Sequence, residues 1–214
     1  RLGGVRLPDI APILGSKDTY FYRNKMEFSF SDSKWLTKEQ IERNEVIENR
    51  NALGFHIPGM WDKILDIHKC HLQEDPSNGI RNYIKDEAER LGLSFFNTRN
   101  QEGFLRTLMI RNTSIGEVMV LIQFFYDHTE NREKLLNALL KKFPNLTSVL
   151  YVINSKGNDT IYDQEVHCYH GRDHIFEEME GLKFKINAKS FYQTNSKQAY
   201  ELYKVTRDFT DLTG

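Results

Sequence analysis

The chain has 214 residues, 39% hydrophobic and 12% aromatic, with a formal net charge of −1. That much apolar and aromatic material builds a core and excludes a disordered tail. Near-neutral charge excludes a uniformly basic coat, so any RNA contact must come from local clusters of Lys and Arg. No apolar run approaches the roughly 20 residues that span a bilayer, the start lacks a signal peptide's apolar stretch, and two cysteines are too few for a disulfide framework. The expectation is a cytoplasmic monomer with no membrane partner.

Pro8, Pro12 and Gly15 break regular structure over residues 1–19. Residues 25–30 alternate, with Met26, Phe28 and Phe30 on one face and Lys25, Glu27 and Ser29 on the other, which predicts a half-buried strand. Residues 31–51 are polar and read as an extended connection or a partly helical insertion, with Thr37 and Gln40 spaced as a capping box. Residues 53–57 and 64–68 predict a hairpin around Pro58-Gly59. Ser77 is the expected N-cap of a helix carrying Ile80, Tyr83, Ile84, Ala88 and Leu91 and stopped by Gly92. Two strands follow, 105–111 and 118–126; the second is apolar on both faces apart from Gln123 and belongs in the middle of a sheet. Leu135, Leu136, Leu139, Leu140 and Phe143 stripe a second helix ended by Pro144. Residues 148–153 predict a strand, 165–170 and 174–178 a further hairpin, and 182–186 a strand with Leu182, Phe184 and Ile186 facing one way. A final helix over 196–209 carries an expected buried stripe of Ala199, Leu202, Tyr203 and Thr206. The sum is an α+β fold, mostly antiparallel sheet with helices packed on it.

Few residue groups suggest chemistry. Cys70, His68 and His71 offer three metal ligands, but neighbouring positions on a strand end point to different faces, and a half-buried free cysteine is the simpler reading. His167, His170 and His174 fit a surface hairpin, and Cys168, between His167 and Tyr169 on an expected strand, reads as a core or edge residue. Arg23-Asn24-Lys25 follows Tyr20, Phe21 and Tyr22; cations beside aromatics suit RNA phosphates and unpaired bases, and equally suit a stapled strand with solvated charges. Arg106 and Arg111 are five apart, so at most one shares a face with Lys25. Arg111, beside Asn112, is a candidate phosphate contact and equally fits a surface turn. Asn195 is placed to cap the last helix. There is no Gly-rich phosphate loop, HExxH pattern or nucleophile elbow.

Ser190-Phe191-Tyr192-Gln193-Thr194-Asn195 resembles the Ser-Phe-x-Gln-x-Asn motif of the RNA (uracil-5-)-methyltransferases, the RumA/TrmA-like family. Tyr22–Phe30, Leu53-Gly54-Phe55-His56, Ile67–Leu72, Leu105–Leu108 and Gly116–Val120 resemble its preceding segments in order, so the likeness covers most of residues 20–205. The resemblance implies a central fragment, with residues 1–178 an RNA-binding α+β domain and 179–214 the start of a Rossmann-like methyltransferase domain that is otherwise missing. It implies S-adenosyl-L-methionine as cofactor, contacted by Gln193, and structured RNA, 23S rRNA or tRNA, as partner. Phe191 would border the flipped target base, with a core Phe as the competing reading, and Arg23, Asn24, Lys25 and Arg111 would meet RNA. The family's catalytic cysteine adds to uracil C6, and a base later removes the C5 proton; both lie beyond Gly214, so no catalytic residue is expected here and the fragment alone is expected to be inactive. Cluster-bearing members hold a 4Fe–4S cluster with three upstream cysteines and a fourth at the position of Cys70. Cys70 is then an orphan ligand, and no cluster is expected in this chain. The alternative is a non-catalytic α+β RNA-binding or interaction module.

Overall fold

The computed structural model describes Gly3, Gly4 and residues 9–44 and 46–210; the expected break at Pro8 and the last residues 211–214 lie outside them. Nine strands and four helices are formed among the described residues. β1 (Lys25–Ser31), α1 (Lys38–Glu42), β2 (Ala52–Ile57), β3 (Met60–Asp66), α2 (Ser77–Arg90), β4 (Leu105–Asn112) and β5 (Val118–Phe124) come first. α3 (Thr129–Lys142), β6 (Ser148–Ile153), β7 (His167–Gly171), β8 (His174–Met179), β9 (Leu182–Asn187) and α4 (Ser196–Thr210) follow. Seven strands make one sheet in the order β3-β2-β1-β4-β5-β6-β7. All neighbours are antiparallel except β5 and β6, which α3 joins as a parallel pair. The expected α+β fold with a mostly antiparallel sheet is what the chain forms.

Strand alternation builds the core. Phe28 and Phe30 of β1, Leu108 and Ile110 of β4, and Val120 and Ile122 of β5 face α2 and α3, whose Ile80, Ile84, Ala88, Leu135, Leu136 and Leu139 close the main cluster. Ile80, Ile84 and Ala88 recur every four residues, as one helix face requires. β5 is buried along its whole length, as a central strand must be. The capping box at Thr37 and Gln40 forms, each residue bonding the other's backbone N–H.

α2 departs from expectation at its start. Ser77 is its first residue rather than its cap: Ser77 Oγ donates to Gln73 Oε1 at 2.5 Å, and Asp75 Oδ1 takes the Asn78 N–H instead. The side-chain acceptor that suits an exposed helix end comes from Asp75.

The opposite face carries a smaller core. Met109, Met119, Leu121, Leu150 and Val152 are covered by Ile175, Ile186 and Ala188, contributed by the β8–β9 hairpin and its exit. Strands 167–171 and 174–179 therefore do not pair with each other, as the sequence suggested. β7 pairs with β6, and β8 leaves the sheet to pair with β9. Gly171 makes the parting possible: its φ is +73°, and a Cβ there would lie 2.1 Å from the Thr147 carbonyl oxygen. Of the apolar face of β9 only Ile186 is buried, while Leu182 and Phe184 stay exposed. The hairpin also crosses the expected domain boundary at 178/179.

Candidate functional site

The two motifs singled out in the sequence, 169 residues apart, meet. Asn24 donates from its backbone N–H to the Thr194 carbonyl at 2.8 Å and from Nδ2 to the Gln193 carbonyl at 2.9 Å. Its own carbonyl accepts the Asn112 N–H at 3.1 Å. Residues 190–195 are thereby fastened to the start of β1 and the end of β4. Leu72 and His71 fix the other side, their carbonyls accepting from the Arg23 and Phe21 N–H groups at 2.8 Å. Gln73 completes the junction by donating to Ile110 O and Asn112 Oδ1.

Along this extended segment the side chains alternate. Tyr192 turns inward against the smaller core; burial, with Glu177 nearby, pushes its hydroxyl up to about 12. Phe191 is 85% exposed, so no described residue of this chain buries it, and Gln193 is exposed beside it. Asn195 caps α4 as expected, Oδ1 accepting the Gln198 N–H at 3.0 Å. The stripe expected to bury α4 does not: only Ala199 is buried, and Leu202 and Tyr203 are exposed. Polar ties hold the helix instead, Lys197 to Asp18 at 2.9 Å and Arg207 with Tyr200 to Glu180.

The basic candidates fall into two groups. Arg23 and Lys25 are half-exposed beside the junction, but the Lys25 ammonium is paired with Glu27 at 2.5 Å. Arg111 is not a surface phosphate contact. It is 4% exposed, and its Nη2 donates to the Ser190 carbonyl at 2.7 Å and weakly to that of Ala188, so it positions the turn that precedes Phe191. Burial lowers its pKa, with Glu27 and Tyr162 opposing, and its Nε lacks a partner. Arg106 and Arg111 were expected on opposite faces. A register irregularity between Leu105 and Thr107 breaks the alternation, and both reach cavities on the side away from the helices.

That side of the sheet holds residues the sequence reading passed over. Asn154, fully buried, donates to Gln123 Oε1 and to the carbonyls of Asn158 and Thr160, and Gln123 Nε2 donates to Asp159 O. These bonds hold the loop 154–164 over the sheet, and Lys189 ties it to the 188–190 turn through the carbonyls of Tyr162 and Gln164. Asn, Asp and Gly in residues 154–159 signalled a turn, not where it would rest.

Cys70 is buried in the main core, its backbone bonded both ways to the Asn78 amide. The chain's other thiol, exposed Cys168, lies on β7 at the far edge of the sheet from β3. Two thiols so placed do not make a four-thiolate site, and among the described residues no cluster of three or more His, Cys, Asp or Glu could hold a metal ion. No described helix is long and apolar enough to cross a membrane.

No protein-family model matches the chain. Curated relatives do. It is 56% identical over 221 residues to an uncharacterized RNA methyltransferase of Porphyromonas gingivalis, with all of this chain and 47% of the relative covered. A Bacteroides thetaiotaomicron protein of the same description is 54% identical, with all of this chain and 48% of that protein covered. One from Chlorobaculum tepidum is 31% identical over 94% of this chain and 42% of its own length. The chain belongs to the RNA methyltransferase family. It spans about half the length of these family members. The fold is also that of a solved tRNA (uracil-54, C5)-methyltransferase of Pyrococcus abyssi, in complex with S-adenosyl-L-homocysteine. The match has a TM-score of 0.66 at 24% identity and covers 90% of this chain and 42% of that one.

Proposed function

We propose that this chain serves an S-adenosyl-L-methionine-dependent RNA uracil-5-methyltransferase, a cytoplasmic monomer acting on rRNA or tRNA, and supplies RNA contacts and one side of the cofactor site. The observation that carries the reading is the Asn24–Gln193 junction, which joins the Arg23–Lys25 stretch to the segment that carries exposed Phe191 and Gln193. Gln193 meets the junction through its backbone carbonyl, which leaves an exposed amide able to donate and accept toward the methionine or ribose part of the cofactor. The cofactor, when bound, supplies the methyl group. Phe191 offers an apolar wall to a base drawn out of its stack. Asn24 and Arg111 fix the backbone on either side and so set the direction of both side chains. In this reading residues 1–178 are the RNA-binding domain and 179–214 open the methyltransferase domain, with the β8–β9 hairpin as the joint. Cys70 is a core residue with no partner thiols in this chain.

In the full-length protein, Gln193→Ala is expected to weaken cofactor binding by about 0.5–1.5 kcal/mol, the worth of one amide contact, and to leave RNA affinity intact. Arg23→Ala is expected to weaken RNA binding and to lower its salt slope by up to about one. Titration of both variants with cofactor, and with RNA at two salt concentrations, separates the roles. Wild-type cofactor affinity in Gln193→Ala contradicts the assignment. Residues 1–214 alone are expected to transfer no labelled methyl group to RNA; transfer above a mock preparation would place the active site inside this chain. A non-catalytic RNA-binding module would bind RNA but show no cofactor binding in the full-length protein.

A further inference from the structure

The β8–β9 hairpin covers only part of the helix-free face of the sheet. Over β1 and β4 that face stays open as a groove under the loop 154–164. Two adjoining cavities make it, sharing Thr107 and Asp159. One reaches Lys25, Arg111 and Tyr162; the other reaches Ser29, His56 and Arg106. We propose that this groove holds a single-stranded stretch of RNA flanking the modified nucleotide, bases toward the sheet and phosphates toward solvent. The proposal rests on the reading of the chain as part of an RNA methyltransferase.

Three observations point to bases rather than to a peptide or a phosphate. First, apolar Phe30, Phe96, Met109 and Leu121 line much of the groove, and its cations are engaged: Lys25 with Glu27, and Arg106, Arg111 and Lys189 with backbone carbonyls, so little free cation faces it. Among them stand Thr98, Thr107, Asn158 and other groups that both donate and accept, as base edges require. His56 is one: Nδ1 lies 3.0 Å from the Trp61 carbonyl and must donate to it, so in the neutral ring Nε2 accepts from Ser29 Oγ at 3.1 Å. Second, Arg111 is buried with Nε unpaired in the groove wall, a donor awaiting an acceptor. Third, large exposed aromatics mark the two ends. Tyr162 is 74% exposed at one. At the other, past His56, Trp61 is 58% exposed with the Arg99 guanidinium 5.5 Å from its ring centroid. Unpaired bases stack on such rings whatever their sequence. The groove begins at Lys25, next to the Asn24–Gln193 junction, so a strand leaving the target nucleotide enters it without a turn.

The test uses the full-length protein and a 12-nucleotide single-stranded RNA bearing 4-thiouridine, with its duplex as comparison. Ultraviolet cross-links are expected within residues 154–164 or 56–61. Tyr162→Ala and Trp61→Ala are each expected to loosen single-strand binding roughly 5- to 150-fold, the worth of one stacked base, and to change duplex binding little. Both side chains are exposed, so an unchanged circular-dichroism melt certifies the fold. Cross-links confined to other segments, with wild-type affinity in both variants, overturn the groove; if methyl transfer to RNA persists in that case, the functional reading stands without it. A wild-type protein that binds no RNA overturns both.

Discussion

Phe28→Ala is expected to lower the unfolding free energy by about 3–5 kcal/mol, the usual loss for emptying a buried phenylalanine site. Phe28 is fully buried at the centre of β1, its ring 5.4 Å from that of Phe55. It also has a second role. The Arg81 guanidinium sits 5.0 Å from the ring centroid. Arg81 is 1% exposed, and its Nε and Nη1 have no hydrogen-bond partner. The face of the ring is therefore part of what compensates a buried cation, and alanine would remove that compensation along with the packing. Phe191→Ala, at an exposed site, is the control and is expected to stay within about 0.5 kcal/mol of wild type. Urea unfolding measures both; a loss below about 1 kcal/mol for Phe28→Ala contradicts the core described for β1.

Asp66→Ala ranks second. The Asp66 carboxylate takes Lys85 at 2.6 Å, Lys34 at 2.9 Å and the Leu53 N–H at 3.1 Å. Removing the shared partner of a buried pair costs about 3–5 kcal/mol, and the lower end applies because both lysines retain some solvent. The linkage has a definite sign. Burial pushes the carboxyl up, but the bonds from Lys85, Lys34 and Leu53 outweigh it and hold its pKa below the ordinary 3.8. A folded value below the unfolded one gives stability that is complete above 3.8 and lost as pH falls through the folded value. Urea melts at pH 7 and near pH 3 are expected to show the gap between wild type and Asp66→Ala shrinking in acid. An equal gap at both contradicts the carboxylate's role.

Strands were legible where apolar side chains alternated or filled both faces. Lys25–Ser31, Val118–Phe124 and Ser148–Ile153 stand close to where the pattern put them. Partner choice was not legible. Residues 167–171 and 174–179 look like a hairpin because a short turn separates them, and only the long-range packing of Ile175 and Ile186 on Leu150 and Val152 decides otherwise. The last helix misled in a different way. Its stripe has helical spacing, but spacing says only that one face is apolar, not that this chain supplies the cover. Among the site residues, the Phe191–Asn195 segment was visible as a motif, and Asn195 as a cap. The pairing of Asn24 with Gln193 could not be read, since backbone carbonyls as acceptors leave no trace in side-chain type. Arg111 was misjudged for a related reason: a guanidinium beside a turn looks solvated until the 188–190 carbonyls come back over it.

The most direct measurement is the product of the full-length protein. It would be incubated with labelled S-adenosyl-L-methionine and total RNA, and the digested nucleosides identified by mass spectrometry. The account predicts label in 5-methyluridine, reduced in an Asn24→Ala, Gln193→Ala double variant that still folds. Label in any other nucleoside, or none at all in a protein that binds both cofactor and RNA, would contradict it.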